Sequence, residues 1–407
     1  MKYLINRILF ICLMGWMVLA VASTPNTGRA AQRKAKDTSP VIVGVPLPLS
    51  GNLKEFGTMM QNSFEISRDS INKLGGVNGR PLKLVYVDTQ GKEALGEDLV
   101  KKLVIDYKAI MLVGGYSSSP TYVMARTAQR LDVPFLISTA SADKITQKGW
   151  KNIFRLNPPI SEYTKGLEDF WIKNFRPKSM AIIYENSMFG TNGAMRMMSF
   201  CEDSAIEVSA LIGYDREMAS QTYFRPVLAP LTEETPDVIY MISYLEDAVA
   251  LVKTIRELKL KSLLCGGAGG FTLEEFVRRA GDSANYLLTA TLWSEHLLFP
   301  GAKEYYERYV KLYGAEPDYH GAEAYSALLV VADGLKRAES FSPRDIRSAL
   351  NKTFMLTPFG PVKFYSYEDF ERQNSVRTLV TQIINGRFET IWPPDLATSQ
   401  FLQPGEK

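Results

Sequence analysis

Two histidines and three cysteines in 407 residues leave little material for metal or thiol chemistry. Zinc and related sites need several such ligands at set spacings, so neither a metal nor a cofactor is expected. The chain also lacks G-x-x-x-x-G-K-[ST], H-E-x-x-H, G-x-S-x-G and C-x-x-C. Those patterns mark phosphate loops, zinc hydrolases, nucleophile elbows and dithiol sites. His296 and His320 fall in no recognisable catalytic motif, so no nucleophile–base pair is evident and no enzyme is expected. Excess charge of one sign is missing as well. The net charge is +3, with acids and bases interspersed, and no Lys/Arg stripe suggests nucleic acid. Beyond residue 22 no apolar run approaches the ~20 residues that span a bilayer.

What is present begins with Lys2 and Arg7, followed by a fifteen-residue uncharged and mostly apolar run, Ile8 to Ala22. The run ends in Ala20-Val21-Ala22. A charged start, a short apolar core and a small-x-small end are the parts of a secretory signal. Residues 1–22 are therefore expected to be cleaved and the mature chain to be periplasmic. Cys12 lies within the run but in a poor lipidation context. Residues 23–40, basic from Arg29 to Lys36, read as a flexible leader. Export permits a disulfide between Cys201 and Cys265, although their spacing does not demand one.

The remaining ~385 residues are too many for one ordinary core and suggest two domains. From Pro40 the hydrophobic period switches repeatedly between about 2 and 3.6 residues. Short apolar runs (41–45, 82–87, 110–113, 135–137) alternate with amphipathic ones (56–74, 94–107, 121–131). The rhythm restarts after Asn157-Pro158-Pro159 with runs at 180–184, 206–212, 238–242 and 263–265, separated by helical stretches. Such alternation predicts parallel sheets covered by helices, here as two Rossmann-like α/β lobes. Segment 303–356 reads as largely helical. Val376 to Trp392 reads as a strand pair turning at Asn385-Gly386.

Two loops carry the most suggestive chemistry. Gly114-Gly115-Tyr116-Ser117-Ser118-Ser119-Pro120 joins a strand to a helix, with Ser119 suited to cap the helix and Pro120 to its first position. Free N–H groups and hydroxyls at a helix N-terminus can hold a carboxylate. Simple capping would need only one of the serines. The next strand is followed by Ser138-Thr139-Ala140-Ser141-Ala142-Asp143. Neighbouring parallel strands would bring both loops to one carboxyl edge, where open α/β sheets bind ligands. The run Gly266-Gly267-Ala268-Gly269-Gly270 implies a close backbone approach or a flexible turn.

The motifs V-G-V-P-L-P-L-S-G (43–51) and I-N-K-L-G-G-V-N-G-R-P-L (71–82) resemble the branched-chain amino acid (Leu/Ile/Val) binding proteins of ABC transporters. S-T-A-S-A-D-K-I-T (138–146), F-R-L-N-P (154–158) and M-F-G-T-N-G (188–193) continue the resemblance in order, over roughly residues 41–395. It implies the type I periplasmic binding protein fold, two lobes joined by a three-segment hinge crossing near 158, near 292 and around 366–376. Lobe 1 would comprise 41–158 plus 293–366, lobe 2 159–292 plus 367–395, with 396–407 as a tail.

The resemblance also implies ligand-binding roles for Phe56, Ser118, Thr139, Ser141, Phe189 and Tyr244. Tyr116 is a further wall candidate, and Arg155 reads as a structural partner at the crossing. The family's acid for a ligand ammonium should fall at 267–268, where Gly267 and Ala268 stand. An ammonium buried without a carboxylate forfeits solvation. A hydrophobic or aromatic carboxylate is therefore expected, unless Glu185, Glu246 or Glu295 replaces the missing acid. The implied function is capture of a small carboxylate-bearing ligand, an amino acid or a hydrophobic or aromatic acid, by a monomeric receptor. Delivery would be to an ABC permease and its ATPase subunits. A ligand-sensing receptor that signals rather than transports is the alternative.

Overall fold

The structure, a computed structural model, describes residues 37–267 and 269–403. The expected signal segment, residues 23–36 of the leader and the end of the tail lie outside the described residues. The chain opens with β1 (Val41–Leu47), α1 (Lys54–Lys73), β2 (Leu82–Asp88), α2 (Gly96–Lys101), β3 (Met111–Gly114), α3 (Ser118–Arg130), β4 (Phe135–Ile137) and β5 (Ile153–Arg155). Two short helices, α4 (Ile160–Tyr163) and α5 (Lys165–Phe170), lead into β6 (Ser179–Glu185), α6 (Met188–Asp203), β7 (Glu207–Tyr214) and α7 (Gln221–Leu228). Next come β8 (Val238–Ile242), α8 (Leu245–Glu257), β9 (Leu263–Gly266), α9 (Glu274–Ala280) and β10 (Leu288–Thr291). Helices α10 (Ala302–Tyr313), α11 (Tyr319–Arg337) and α12 (Pro343–Asn351) precede β11 (Phe354–Thr357), β12 (Gly360–Lys363), β13 (Tyr365–Tyr367), β14 (Phe370–Gln373), β15 (Leu379–Ile384) and β16 (Arg387–Trp392).

Two seven-stranded sheets result, with orders β2-β1-β3-β4-β5-β14-β13 and β7-β6-β8-β9-β10-β15-β16. The first five strands follow the same order in both sheets, while the added pair differs, β14 running parallel to β5 and β15 antiparallel to β10; the chain passes between the lobes three times. This is the two-lobe type I periplasmic binding protein architecture. The central strands are parallel. Buried on both faces, such strands read as continuous apolar runs: β8 is Val-Ile-Tyr-Met-Ile with every residue buried. Helix α1 places Phe56, Met60 and Phe64 one turn apart on its buried face, and Gly75 and Gly76 end it with positive φ.

Two details differ from the sequence reading. The third crossing does not begin at 366–367. β14 pairs in parallel with β5 through Gln373 and Arg155, so the first sheet keeps the chain to Gln373. Its two added strands are only three and four residues long, too short for periodicity to reveal. Segment 303–356 is helical to Asn351 and then enters a hairpin, β11 against β12. Cys201 and Cys265, whose spacing demands no disulfide, are both free and buried. The late strand pair does turn at Asn385-Gly386, where both residues have positive φ, the conformation a tight primed hairpin turn requires.

Candidate functional site

The loops after β3 and β4 lie side by side, as their strands require. Ser138 N–H donates to Gly114 O at 2.9 Å and Ala140 N–H to Gly115 O at 3.2 Å. Helix α3 begins at Ser118 rather than after Ser119, with Ser117 as the preceding cap residue. Pro120 is thus the third helical residue. It is tolerated there because first-turn N–H groups have no acceptor within the helix. Ser118 Oγ accepts from Ala142 N–H at 3.2 Å. A hydroxyl has one proton and two lone pairs, so its proton remains available to a ligand.

From the second lobe, the segments after β6, β8 and β9 face these loops. Together they border a small cavity lined by Tyr116, Ser118, Thr139, Ser141, Tyr163, Phe189, Tyr244, Gly269, Tyr319 and His320, with about 300 Å³ not filled by atoms, open solvent at its mouth included. It lies at the carboxyl ends of strands from both sheets, where open α/β folds take ligands. Ser118, Thr139, Ser141, Phe189 and Tyr244 from the sequence reading meet here. Phe56 does not line the cavity. It is fully buried and stacks behind Tyr116, with centroids 4.6 Å apart, because the inward face of α1 turns it into the core. Tyr116 is the wall and Phe56 its support.

Burial pushes the hydroxyls of Tyr116, Tyr163 and Tyr319 well above the ordinary tyrosine range, so all three are neutral donors or acceptors. The lining contains no Lys or Arg. A guanidinium does stand outside it, with Arg216 4.9 Å from the Tyr244 ring centroid. A larger cleft at the third crossing is bordered by Lys165, Lys173 and Arg377. Those cations are already met by Glu162, Asp169 and Asp395.

The acids expected to replace the missing carboxylate are committed elsewhere. Glu185 accepts from Ser187 N–H at 2.8 Å and Gly190 N–H at 3.0 Å, holding the start of α6. Glu246 is on the surface, paired with both terminal nitrogens of Arg279. Glu295 is beside His296 on a surface loop. Gly267 is bare for a steric reason: a Cβ there would stand 2.3 Å from the Tyr240 hydroxyl. Ala268 lies outside the described residues. The close approach expected of this loop is real, since a Cβ on Gly270 would be 2.3 Å from the Tyr244 carbonyl carbon.

Sequence reasoning missed Tyr163, Gly269, Tyr319 and His320. A legible signal existed for two of them. Asp318 before a helical run is a cap candidate, and its carboxylate accepts from His320 N–H at 2.9 Å. The same carboxylate is 2.8 Å from His320 Nδ1 and accepts from the Thr272 hydroxyl of the opposite lobe at 2.6 Å. Glu316 N–H to Glu274, Met188 N–H to Ser119 and the Ser117–Tyr244 hydroxyl pair also join the lobes. The lobes are therefore closed over the cavity. Thr272→Val removes one bond between the lobes, to the partly buried Asp318 carboxylate. A net ~1–2 kcal/mol predicts ligand affinity lower by roughly 5- to 30-fold and a larger radius of gyration in solution scattering. An unchanged affinity would mean that this bond does not favour closure.

Residues 40–386 match the model of a family described as periplasmic binding protein. A Leu/Ile/Val-binding protein homologue of Brucella melitensis is 24% identical over 386 residues, covering 91% of this chain and 96% of its own. The branched-chain amino acid transporter substrate-binding protein LivJ of Streptococcus pneumoniae, solved with isoleucine, superposes with a TM-score of 0.79 at 23% identity. That match covers 87% of this chain and all of LivJ. A solute-binding protein of an ABC transporter from R. palustris, solved with benzoate, gives a TM-score of 0.79 at 19% identity over 90% of this chain and 99% of its own.

Proposed function

Because the chain belongs to the periplasmic binding protein family, we propose that it captures a small carboxylate-bearing solute between its lobes and delivers it to an ABC permease in the inner membrane. The observation that carries this reading is the cavity itself. Ser118, the first residue of α3, and Ser141, in the adjoining loop after β4, line it together with Tyr116, Phe189 and Tyr244. Hydroxyls and a helix N-terminus suit a carboxylate, and aromatic walls suit a hydrophobic body. The ligands named for the structural neighbours, isoleucine and benzoate, share a carboxylate on an apolar frame. Hinge closure about the three crossings then buries the solute and presents the closed face that a permease can distinguish from the open one.

The test is a thermal-shift screen of amino acids, aliphatic acids and aromatic acids against the purified mature chain. A ligand at 100 times its dissociation constant adds ~2.7 kcal/mol of stability. No stabilisation by any of the three classes would reject the reading. Delivery to a permease also requires export. Mass spectrometry of the periplasmic protein is expected to show an N-terminus at Ser23, after Ala22; a mature chain starting at Met1 would contradict this.

A further inference from the structure

Two buried carboxyls stand behind the second lobe's wall of the cavity. Glu185 ends β6, and Asp247 lies in the first turn of α8. Glu185 seats the segment that carries Phe189, accepting from the N–H groups of Ser187 and Gly190 and from the Ser187 hydroxyl. Asp247 accepts from the Tyr214 hydroxyl, which is itself 2.8 Å from Ser243 Oγ. Its carboxyl is also close enough to the Tyr244 N–H for that group to favour its charged form, as an acid at this helix position does in a capping box. Phe189 and Tyr244 both line the cavity, so each of these wall residues adjoins one of the two acids. Among the described residues no Lys, Arg or His is ion-paired with either acid.

The groups around Asp247 offer no cation to balance it. β6 brings Glu185, and the end of β7 brings Tyr214. Arg216, two residues further on, lies over the Tyr244 ring. α7 brings Tyr223 and Arg225, the latter paired with Glu257 at the far end of α8. The charged groups at either end of α9 are engaged with Glu246, with one another or with the Glu316 N–H. Residues 281–284, with Asp282, meet α8 at Arg256, again at its far end. Residues 51–53 and 269–272 also pack on α8 and bring no titratable side chain. Burial, with the Glu185 charge adding to it, pushes the Asp247 carboxyl up to about 7 against the pull of the Tyr214 bond.

A solute carboxylate in the cavity adds a further negative charge near these two acids, in surroundings that screen charge poorly. A proton on Asp247 relieves the repulsion. We propose that Asp247 is a proton switch behind the ligand wall, so that capture of an anionic solute takes up a proton and weakens as pH rises. This rests on the carboxylate-capture reading above. The hydrogen bonds permit both states. Charged Asp247 accepts from Tyr214, which accepts from Ser243; neutral Asp247 donates to Tyr214, whose own proton turns to Ser243. An acid that is protonated more readily in the bound form lowers affinity as pH rises through its free-form value.

The experiment is titration calorimetry of the mature chain at pH 6, 7 and 8 with benzoate and with 4-methylpentanoate, one aromatic and one aliphatic acid. At pH 7 each is run in two buffers of different ionisation enthalpy. Both carboxylates stay ionised across this range, so any proton taken up belongs to the protein. At least one acid should bind with uptake of roughly 0.3 to 0.5 proton at pH 7, and roughly 3- to 8-fold more weakly at pH 8 than at pH 6. Asp247→Asn should bind that acid without uptake and with one affinity at all three pH values. Tyr214→Phe removes a donor that favours the charged form, so its fall in affinity should move to higher pH; this variant decides the matter if Asp247→Asn does not fold. Affinity independent of pH in the unaltered chain would overturn the switch. So would uptake retained in Asp247→Asn, which would move the titration to another group, such as His320 on the first lobe's wall. Both results leave solute capture standing. If neither acid binds, the switch falls while a positive thermal-shift screen keeps solute capture; an empty screen rejects both.

Discussion

Replacing Arg155 with methionine is expected to destabilise the protein by roughly 3–6 kcal/mol, the loss of two or more charged hydrogen bonds. Arg155 is wholly buried. Its guanidinium donates to Gln373 Oε1 at 2.6 Å, Ala142 O at 2.8 Å and Thr146 Oγ1 at 2.6 Å, with a longer contact to Ala140 O at 3.4 Å. These acceptors belong to separate chain segments: the serine loop, the turn that follows it, and β14 just before the third crossing. Methionine fills much of the volume but removes every guanidinium donor from these buried acceptors, leaving Gln373 Oε1 only the Thr146 hydroxyl and Ala142 O only the Ile145 N–H, and that loss sets the cost. Lysine should not rescue the loss, because its ammonium lacks the planar fork that reaches all of them. Burial lowers the Arg155 pKa to about 10, so the group stays charged at neutral pH. Thermal unfolding should show a fall of ~10 °C, and a shift below ~2 °C would mean that Arg155 is not the tie this arrangement implies. Ala140 and Ala142 flank Ser141, so the variant's residual folded population should also bind ligand weakly.

Ser118→Ala is expected to weaken solute binding by roughly 10- to 150-fold, since a hydrogen bond to a charged group is worth ~1.5–3 kcal/mol. The structure adds a second consequence. Ser118 Oγ accepts from Ala142 N–H, so the variant also leaves a buried donor unpaired and should unfold at a slightly lower temperature. Ser118→Thr keeps the hydroxyl and should retain the stability even if its extra methyl crowds the cavity. Calorimetry with whichever acid the screen identifies separates the two effects. Unchanged affinity in Ser118→Ala, whatever its stability, would remove Ser118 from the site.

Much of this arrangement was legible in the chain because it rests on local order. Continuous apolar runs become buried parallel strands, and amphipathic runs of 3.6 period become their covering helices. Val238–Ile242 was bounded to the residue, since a fully buried strand leaves no polar residue inside it. Asn385-Gly386 announced its turn because both positions need positive φ. Ser118 and Ser141 could be brought together on paper because adjacent parallel strands leave the sheet at the same edge. Arg155 could be read as a crossing partner, although not which atoms it would tie.

What tertiary structure alone decided came from segments distant in sequence. β13 and β14 are too short to show periodicity, and they join the first sheet only because β5 offers an open edge. Phe56 and Tyr116 are both aromatic and both near the cavity; packing depth, which a linear pattern does not contain, made one the wall and the other its backing. The acids proposed from chain position each met a nearer partner: backbone N–H groups for Glu185, and Arg279 for Glu246. Glu323 looks like one more polar residue on a helix, since nothing local marks a carboxyl that will be fully buried. Its burial arises only from the packing of α11 against segments some 160 to 185 residues earlier in the chain. Backbone propensity and burial pattern act over a few residues and can be read in order; the satisfaction of buried polar groups is a property of the folded assembly and has to be read from it.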